Sequence, residues 1–451
     1  MATTYLRRNP SGSGNQRKFT FSFWVKKNPL NPASTYSLFD CGTSSNYFHI
    51  YFPDTHTLTV KSRISNSTAM ELVTTRVFRD SAWYNIIVAV DSEQNTAADR
   101  CKIYVNGVQE TAFNTANYGS QNLDHEIQDA GTYHVIGTNY AVSADEFFDG
   151  SMSYVAFVDG TQEVPGIFGE TDSTTGQWKI KTTITPSVGW GTNGFLILVN
   201  GNSVTDQSGK GNDFTVAAGT LTKTEDCPSN NYPTVNINVG KATEYLNSTG
   251  LRFGNTEINQ TGNPGVFIST LANTTGKYYW EMFVETVGYT TLGVTTYEAI
   301  LQNGAVTYLY TPAAGYGYVY TGNKGNNNSQ VSYGNSYTSG DYISVAFDQT
   351  NGSIWFAKNG VWQNNATTAE IGAGTTTYAA YSSMPTNGKF YAPAFGLDNS
   401  AVTRINFGNG TFGTTTLSTT YSPTVGDTGA KFKYNIIPTG FTAVSTKGYN
   451  A

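Results

Sequence analysis

Apolar and polar residues alternate along most of the chain. Between residues 19 and 25, Phe19, Phe21, Phe23 and Val25 occupy every second position, which places four apolar side chains on one face of an extended strand. Residues 85–91 (NIIVAVD) form a compact apolar run that ends at a turn residue, as an inner strand of a sandwich does. The sequence shows no long stretch with the period of an amphipathic helix. The pattern therefore predicts an all-β protein.

One strand–hairpin pattern occurs twice. The sequence IIVAVD…KIYVNGVQ begins at Ile86, and ISVAFD…IWFAKNGVWQ begins at Ile343. Each contains an Asn-Gly pair, a strong signal for a two-residue hairpin turn because both residues tolerate positive φ. The two copies lie much farther apart than the roughly 20–50 residues that separate the units of a solenoid. The repeat therefore predicts two domains of one architecture.

A turn-rich stretch between residues 200 and 232 separates the two halves. Clusters of Asn, Gly, Ser, Asp and Pro are typical of connections between folded elements. We therefore assign residues 1–18 to an N-terminal arm, 19–218 to the first sandwich, 219–232 to a linker, and 233–451 to the second sandwich with a C-terminal tail docked on it.

Composition and charge exclude several classes of function. The net charge is −6 and only 13% of the residues are charged, so the chain lacks the basic surface that binds nucleic acid. The three cysteines form no CxxC pair, which argues against a disulfide framework or a zinc site. The first residues contain no apolar segment of a signal peptide, and no run is long enough to cross a membrane. We expect synthesis in a cytoplasm and no membrane insertion.

Several motifs resemble known families. The first half resembles the laminin-G and pentraxin type of concanavalin A-like domain through FTFSFWVKK (19–27), WYNIIVAVD (83–91), KIYVNGVQ (102–109) and residues 134–160. The second half resembles a SPRY domain through GKYYWEM (276–282), GDYISVAFD (340–348), GSIWFAKNGV (352–361) and YAPAFGL (391–397). The resemblance implies two consecutive concanavalin A-like antiparallel β-sandwiches of the jelly-roll type.

Further segments are similar to structural proteins of tailed bacteriophages, marine ones especially. They are the opening at residues 5–20, DQSGKGNDFT (206–215), DCPSNNYPTVN (226–236) and IPTGFTAV (437–444). This resemblance implies that the protein is located in a virion, with other virion proteins as partners, and that it forms part of a fibre or appendage. Because fibre proteins commonly assemble from identical chains, we expect a homo-oligomer, with a trimer as the specific hypothesis.

One set of carboxylates could support hydrolysis. Asp124, Glu126 and Asp129 form an acidic run, and a glycosidase needs two carboxylates about 5–10 Å apart. The run departs from the Glu-x-Asp-x-x-Glu order of related glucanases, however, and it lies in a polar connection. The four histidines all precede residue 135, and no nucleophile motif accompanies them. We predict a solvated loop, no catalytic residues and no enzymatic activity.

The resemblance to pentraxins and laminin-G domains also implies a possible calcium site. Such relatives bind calcium at the sandwich rim through carboxylates and carbonyls, the oxygen ligands that this hard cation prefers. The corresponding positions offer Asn139, Asp145 and Asp149, with Glu146 beside them, but the acidic ligands expected next to Asn139 are missing. The alternative is a structural turn without a cation. No other cofactor is expected.

An aromatic row followed by amide side chains suggests a glycan-binding site. Three tyrosines at alternate positions share one strand face, and an Asn-rich segment follows them. Amphipathic rings next to amides suit a sugar, which has an apolar face and peripheral hydroxyls. The alternative is that the tyrosines belong to the core and the asparagines to a plain loop. The candidate residues are Tyr320, Asn323, Asn326 and Asn327.

Together these observations favour a non-enzymatic phage fibre or appendage protein that presents lectin-like domains to host-surface glycans. Two alternatives stay open. The protein could be a capsid or tail decoration or scaffold component without a ligand, or a carbohydrate hydrolase. Because fold does not determine function, the virion hypothesis depends on resemblance alone.

Overall fold

The computed structural model describes residues 3–28, 35–79, 81–127, 131–139, 145–173, 176–199, 201–240, 250–260, 263–302, 306–398 and 400–449. The chain divides into two compact units, Met1–Lys223 and Thr224–Ala451. Each unit is built mainly from antiparallel sheets, so the predicted all-β class of two β-sandwiches is confirmed.

Two large sheets form the first unit. Its strands are β1 (Tyr5–Arg8), β2 (Lys18–Lys27), β3 (Tyr36–Gly42), β4 (Tyr47–Phe52), β5 (Thr57–Ile64), β6 (Ser67–Val77), β7 (Trp83–Asp91), β8 (Cys101–Val105), β9 (Val108–Gln109), β10 (Phe113–Asn117), β11 (His134–Ile136), β12 (Gly150–Asp159), β13 (Gly169–Thr171), β14 (Trp178–Ile180), β15 (Phe195–Ile197) and β16 (Thr215–Ala218). One sheet has the order β10-β6-β5-β4-β3-β11-β1-β16, the other β15-β12-β2-β7-β8-β9, and β13 pairs with β14.

Aromatic side chains of the first unit fill the space between its two sheets. The rings of Phe21 on β2 and Phe39 on β3 are 4.3 Å apart, and those of Phe19 on β2 and Phe48 on β4 are 5.2 Å apart. These four side chains are fully buried, and the alternation predicted a shared apolar face for two of them, Phe19 and Phe21. Burial of this apolar surface is the main contribution that stabilises such a core.

The other face of β2 is buried as well. Ser22 and Trp24 are almost inaccessible to solvent, because residues after β12 fold back over this sheet. Trp178 Nε1 donates to Asn85 Oδ1 at 3.0 Å, and Asn85 Nδ2 donates to Ser22 Oγ at 3.1 Å. Period-two alternation therefore predicts which face of β2 lies between the two sheets. It does not predict that another segment covers the outer face.

The second unit also contains two large sheets. Its strands are β17 (Leu251–Arg252), β18 (Glu257–Asn259), β19 (Gly265–Ile268), β20 (Lys277–Thr286), β21 (Tyr289–Thr296), β22 (Tyr316–Val319), β23 (Asn323–Asn326), β24 (Ser329–Ser332), β25 (Tyr342–Asp348), β26 (Ser353–Lys358), β27 (Val361–Trp362), β28 (Tyr381–Ser382), β29 (Tyr391–Asp398), β30 (Val402–Asn406), β31 (Thr411–Phe412), β32 (Thr415–Thr416) and β33 (Thr442–Ala443). The sheet orders are β17-β18-β30-β20-β25-β26-β27, with β28 and β33 at its side, and β19-β29-β21-β22-β23-β24.

Helices are short wherever the structure describes the chain. They are α1 (Ala97–Arg100), α2 (Tyr297–Gln302), α3 (Thr368–Gly372) and α4 (Thr446–Tyr449), and a 3₁₀ turn spans Pro165–Ile167. None of the helices within the described ranges is long and apolar enough to cross a membrane.

The C-terminal tail packs on the second unit. Buried Glu281 on β20 accepts hydrogen bonds from the backbone N–H groups of Lys433 at 2.8 Å and Tyr434 at 3.1 Å. Burial raises the pKa of Glu281 to about 7. Farther along the tail, the ring of Phe441 lies 6.5 Å from that of Trp355, which is 1% exposed. The tail thus covers the face of β26 that points away from the space between the two sheets.

Residues 5–8 and Tyr232 differ from the domain assignments made from the sequence. Residues 5–8 were assigned to an arm, but they form β1, which pairs with β11 and β16. Their alternation is short, with buried Leu6 the main apolar signal. Tyr232 was assigned to the linker, but it is buried in the second unit and donates its hydroxyl to Asp427 at 2.6 Å.

Candidate functional site

The alternating tyrosines of β22 separate into core and surface at the end of the strand. Tyr316 and Tyr318 are buried, and the Tyr318 ring lies 5.4 Å from Phe356 on the opposite sheet. Tyr320, one residue beyond β22, is only partly buried. The first two tyrosines therefore belong to the core, as the alternative interpretation of the sequence had it, and Tyr320 is available at the surface.

Tyr320 belongs to a cluster of four tyrosines and one glutamine, which we call the tyrosine patch: Tyr289, Tyr308, Tyr310, Tyr320 and Gln330. The Tyr289 ring lies 5.3 Å from that of Tyr320 and 4.7 Å from that of Tyr308. Tyr308 and Tyr310 are stacked with their centroids 5.6 Å apart. Tyr310 is buried, and the other four side chains are partly exposed. The patch is thus a continuous aromatic surface.

Small residues allow the segment after α2 to lie close to the sheet. Leu309 is buried in a cluster with Val266 and Ile300, which anchors the two tyrosines on either side of it. A Cβ atom placed on Gly325 of β23 would lie 2.7 Å from Tyr310 Cβ, which is closer than side chains approach one another. Glycine at this position therefore lets Tyr310 pack against the strand.

Hydrogen bonds join the polar groups of the patch into a chain. The hydroxyls of Tyr289 and Tyr310 are 2.6 Å apart, and Gln330 Nε2 donates to the Tyr289 hydroxyl at 2.9 Å. Asn323 Nδ2 donates to Gln330 Oε1 at 3.3 Å. Burial is the main cause of the raised pKa of Tyr289, and the hydrogen bond with Tyr310 raises this pKa further. The four side chains therefore hold one another in fixed positions.

The predicted asparagines have different environments. Asn323 borders the patch through Gln330. Asn326 donates its amide to the carbonyls of Ala313 and Gly315, both at 2.8 Å, and so fixes the segment that carries the patch tyrosines. Asn327, with φ of 47°, lies in the turn between β23 and β24 and is exposed. Of the predicted set, only Tyr320 and Asn323 lie at the patch.

Sequence reasoning missed Tyr289, Tyr308, Tyr310 and Gln330. The tyrosines at 308 and 310 alternate around a leucine, a pattern that also fits an ordinary strand. Tyr289 begins β21 and looks like a core residue from its neighbours. No local signal distinguishes these positions from the many other tyrosines of the chain.

Two of the positions considered for calcium are hydrogen-bonded to other side chains. Asn139 Nδ2 donates to Glu146 Oε2 at 3.1 Å, and Asn28 Nδ2 donates to Asp149 Oδ2 at 3.1 Å. Burial of its carboxyl group raises the pKa of Asp149, whereas Asp145 is exposed. In the part of the chain that the structure covers, no group of three or more His, Cys, Asp or Glu side chains could hold a metal ion. Calcium binding stays a prediction without structural support.

A shallow groove in the first unit contains one of the candidate carboxylates. It has a volume of about 520 Å³ and is lined by residues 13–17, Asp124, Asp159, Gly191 and Thr192. Arg17 Nε donates to Asp124 at 2.6 Å and Nη2 at 3.2 Å, and this pairing lowers the pKa of Asp124. Asp124 and Glu126 lie in a connection between β10 and β11, and Asp129 lies outside the described residues. The groove thus presents a paired surface carboxylate.

The four histidines are buried in the first unit. His134 Nδ1 accepts from Arg8 Nε at 3.3 Å, and its Nε2 lies 2.6 Å from the carbonyl oxygen of Ile127. Such bonding requires the neutral ring, with the proton on Nε2. Burial lowers the pKa of His49 and His134 to about 3 and that of His125 to about 4. These three imidazoles are therefore structural groups rather than exposed bases.

Comparison with known families agrees with the two-sandwich architecture. Residues 2–167 match the concanavalin A-like lectin/glucanases superfamily, and residues 277–410 match the SPRY domain. The chain therefore carries a concanavalin A-like domain followed by a SPRY domain, and this part of the sequence-based prediction is confirmed.

Matches among solved structures include a SPRY domain and a pentraxin. The SPRY domain of human HERC1 is 18% identical, with 33% of this chain and 87% of that chain covered and a TM-score of 0.26. The native heptameric SAP-like pentraxin from Limulus polyphemus is 18% identical, with 34% and 69% covered and a TM-score of 0.25.

Proposed function

We propose that this chain, a concanavalin A-like domain followed by a SPRY domain, is a non-enzymatic fibre or appendage protein of a bacteriophage virion that binds host-surface glycans. The tyrosine patch is the observation that carries the binding proposal. Its partly exposed rings lie beside amide groups in a fixed hydrogen-bonded arrangement, which is the combination that a sugar requires. Support for the virion comes from the phage-like segments of the sequence.

The absence of catalysis is part of the proposal. Asp124 pairs with Arg17 at the surface. Asp159, the other carboxylate of the groove, accepts the backbone N–H of Asn15 at 2.8 Å and of Asn193 at 3.0 Å. One carboxylate is thus held in an exposed ion pair and the other is bound to backbone N–H groups, which favours binding over hydrolysis. Release of reducing ends from a polysaccharide by the purified protein would contradict this assignment.

A glycan array followed by calorimetry tests the binding proposal. Purified full-length protein is expected to bind at least one bacterial surface glycan, and Tyr320→Ala is expected to weaken that binding by about tenfold, the effect of losing one aromatic contact. Tyr378→Ala is the matched control, because Tyr378 is a partly exposed tyrosine of the same unit outside the patch. Failure to bind any glycan would instead favour a decoration or scaffold role.

We further propose that the protein assembles as a homotrimer on the virion. The motive is the low charge of the chain, with 13% charged residues, because charged side chains are depleted at the centres of interfaces. Mass photometry measures the free protein, and a virion reconstruction measures the bound state. Single copies at every attachment point would contradict the trimer without affecting glycan binding.

A further inference from the structure

The hydrogen-bond chain of the tyrosine patch leaves one hydroxyl hydrogen unused. The oxygen of Tyr289 accepts from Gln330, and the hydroxyls of Tyr289 and Tyr310 share one hydrogen bond. Each phenol has a single O–H. If Tyr289 donates to Tyr310, the hydrogen of Tyr310 is left over, and in the opposite arrangement the hydrogen of Tyr289 is left over. Either way, the pair can donate one further hydrogen bond.

The remaining polar groups of the patch contribute further hydrogen-bond donors. The hydroxyls of Tyr308 and Tyr320 have no hydrogen-bond partner among the residues that the structure describes. Gln330 uses one of its two N–H groups on Tyr289, and its oxygen already accepts from Asn323. A ligand that covers this surface should offer a strong acceptor, because donors that it shields from water without giving them a partner are costly.

Charge narrows the ligand class further. None of the five patch residues is charged, and the residue in register with Tyr289 on β29 is Asp398. Lys324 lies on the strand next to the patch, but its ammonium donates to the carbonyl of Ala380 at 2.6 Å. An acidic sugar would therefore find no charged side chain within the patch itself to balance its charge, which is unfavourable once the sugar is withdrawn from water. A neutral ligand fits better.

From this inventory, and building on the proposed glycan-binding function, we infer that the tyrosine patch recognises N-acetylated hexosamines. An acetamido group has a neutral carbonyl that can accept the spare O–H of the Tyr289–Tyr310 pair. Its methyl group can pack on the adjacent rings of Tyr308 or Tyr320. An unmodified hexose has a hydroxyl at this position, whose oxygen is a weaker acceptor than an amide carbonyl and which has no apolar methyl group.

The test compares three trisaccharides that share a β-1,4-linked backbone. Tri-N-acetylchitotriose is expected to bind the full-length protein about 3- to 10-fold more tightly than cellotriose, as one net hydrogen bond predicts. The deacetylated trimer, which carries amines, is expected to lose this preference. Calorimetry or NMR titration with each purified sugar measures the affinities.

Two variants identify the groups that produce the preference. The double variant Tyr289→Phe/Tyr310→Phe keeps the rings but removes both hydroxyls, so it is expected to bind tri-N-acetylchitotriose no better than cellotriose. Tyr378→Phe, outside the patch, is expected to keep the preference. A thermal melt of each variant shows whether the fold is intact. If the double variant unfolds, saturation-transfer NMR of tri-N-acetylchitotriose on the unmodified protein replaces it, and the acetamido methyl groups are expected to receive the strongest transfer; transfer spread evenly over the sugar ring would overturn the inference.

Three outcomes decide between the proposals. Equal affinity for the acetylated and unmodified trimers, with Tyr320→Ala weakening both, overturns the acetamido inference and leaves glycan binding standing. A preference that persists in the hydroxyl-free variant also overturns the inference. If the patch variants bind every panel glycan as the unmodified protein does, the glycan-binding proposal and this inference fail together.

Discussion

Mild acid should destabilise the first unit while it stabilises the second. All four histidines of the chain lie in the first unit, and each is buried. His49, His125 and His134 have folded-state pKa values of about 3, 4 and 3, against an ordinary value of 6.5. The folded unit therefore binds fewer protons than the unfolded chain once the pH falls below about 6.5.

The surroundings of each ring explain why it stays neutral. A proton on His134 Nδ1 would face the guanidinium of Arg8. His125 contacts the rings of Phe19 and Phe48, and burial is the main cause of its lowered pKa. His49 Nε2 lies 3.0 Å from Ser37 Oγ and 3.8 Å from Glu146 Oε2. Burial lowers the pKa of His49, and the charge of Lys61 lowers it further.

His56 adds to this effect, but we leave it out of the sum. Its Nδ1 lies 3.1 Å from the ammonium of Lys27. Burial, Lys27 and Arg79 lower its pKa to about 4, against a smaller opposing effect of Asp54. The conclusion therefore depends on the three rings that are most completely enclosed.

The magnitude follows from linkage. The stability that a neutral buried histidine contributes is fully present above its unfolded pKa of about 6.5 and is lost as the pH falls towards its folded value. At pH 5 the loss is about 2 kcal/mol for one such histidine, or about 6 kcal/mol for three. Typical domains have a total stability of about 5–15 kcal/mol. Glu146 and Asp149, whose pKa burial raises, offset part of this loss.

The second unit should respond in the opposite direction. Burial raises the pKa of Glu281 to about 7 from an ordinary 4.5, so the folded state binds its proton more readily than the unfolded state. Its contribution is fully present below pH about 4.5 and is lost as the pH rises through about 7. Between pH 7 and pH 5 the second unit should therefore gain about 2 kcal/mol while the first unit loses stability.

Amide hydrogen exchange measured peptide by peptide on the full chain separates the two responses. After correction for intrinsic exchange rates, protection of β2, β3 and β7 is expected to fall between pH 7 and pH 5, while that of β20 and β25 is kept. His134→Gln can preserve both hydrogen bonds, so it should remove about 2 kcal/mol of the loss at pH 5. Unchanged protection of the first unit, or a parallel loss in both units, would refute the reasoning.

Three further predictions concern the individual units. Trp355→Ala should lower the free energy of unfolding of the second unit by about 3–5 kcal/mol in urea denaturation, and a change below about 0.5 kcal/mol would mean that the tail does not cover this ring. Trypsin should cut first after the exposed Lys223 and release two protected fragments, whereas a first cut in the hairpin of β26 and β27 would contradict the division into units. Replacing Asp124, Glu126 and Asp129 together by their amides should leave the fold and glycan binding unchanged, and a polysaccharide hydrolase activity lost in this variant would show that the loop is catalytic.

The hairpins could be predicted because their signal is local. Asn106-Gly107 and Asn359-Gly360 have φ values of 49° and 79°, and 50° and 80°, so both turns adopt the left-handed conformation that Asn and Gly tolerate. In each hairpin the Asn side-chain oxygen accepts a backbone N–H from the strand that comes before the hairpin and pairs with it. The donors are Asn85 on β7 and Tyr342 on β25, both at 2.8 Å. A dipeptide thus determines the turn and the register on either side of it.

The layers that cover the sheets could not be predicted in this way. Trp178 lies over Gly107, and Tyr434 lies over Gly360, so each Asn-Gly turn is also a place where a distant segment packs. Both aromatic residues are far from their glycines in sequence, and no periodicity connects them. The same limitation applies to Glu281, whose role in holding the tail depends on backbone groups that carry no sequence signal.

The candidate site shows where sequence reasoning ends. Tyr320 could be singled out because it extends a row of tyrosines beyond the end of β22. Its partners come from three other segments, and only the register of β21 against β22 and the absence of a side chain at Gly325 bring them together. A binding surface assembled across strands is therefore a property of the fold. Asn326, which was singled out from the sequence, holds the segment that carries the surface through two backbone carbonyls.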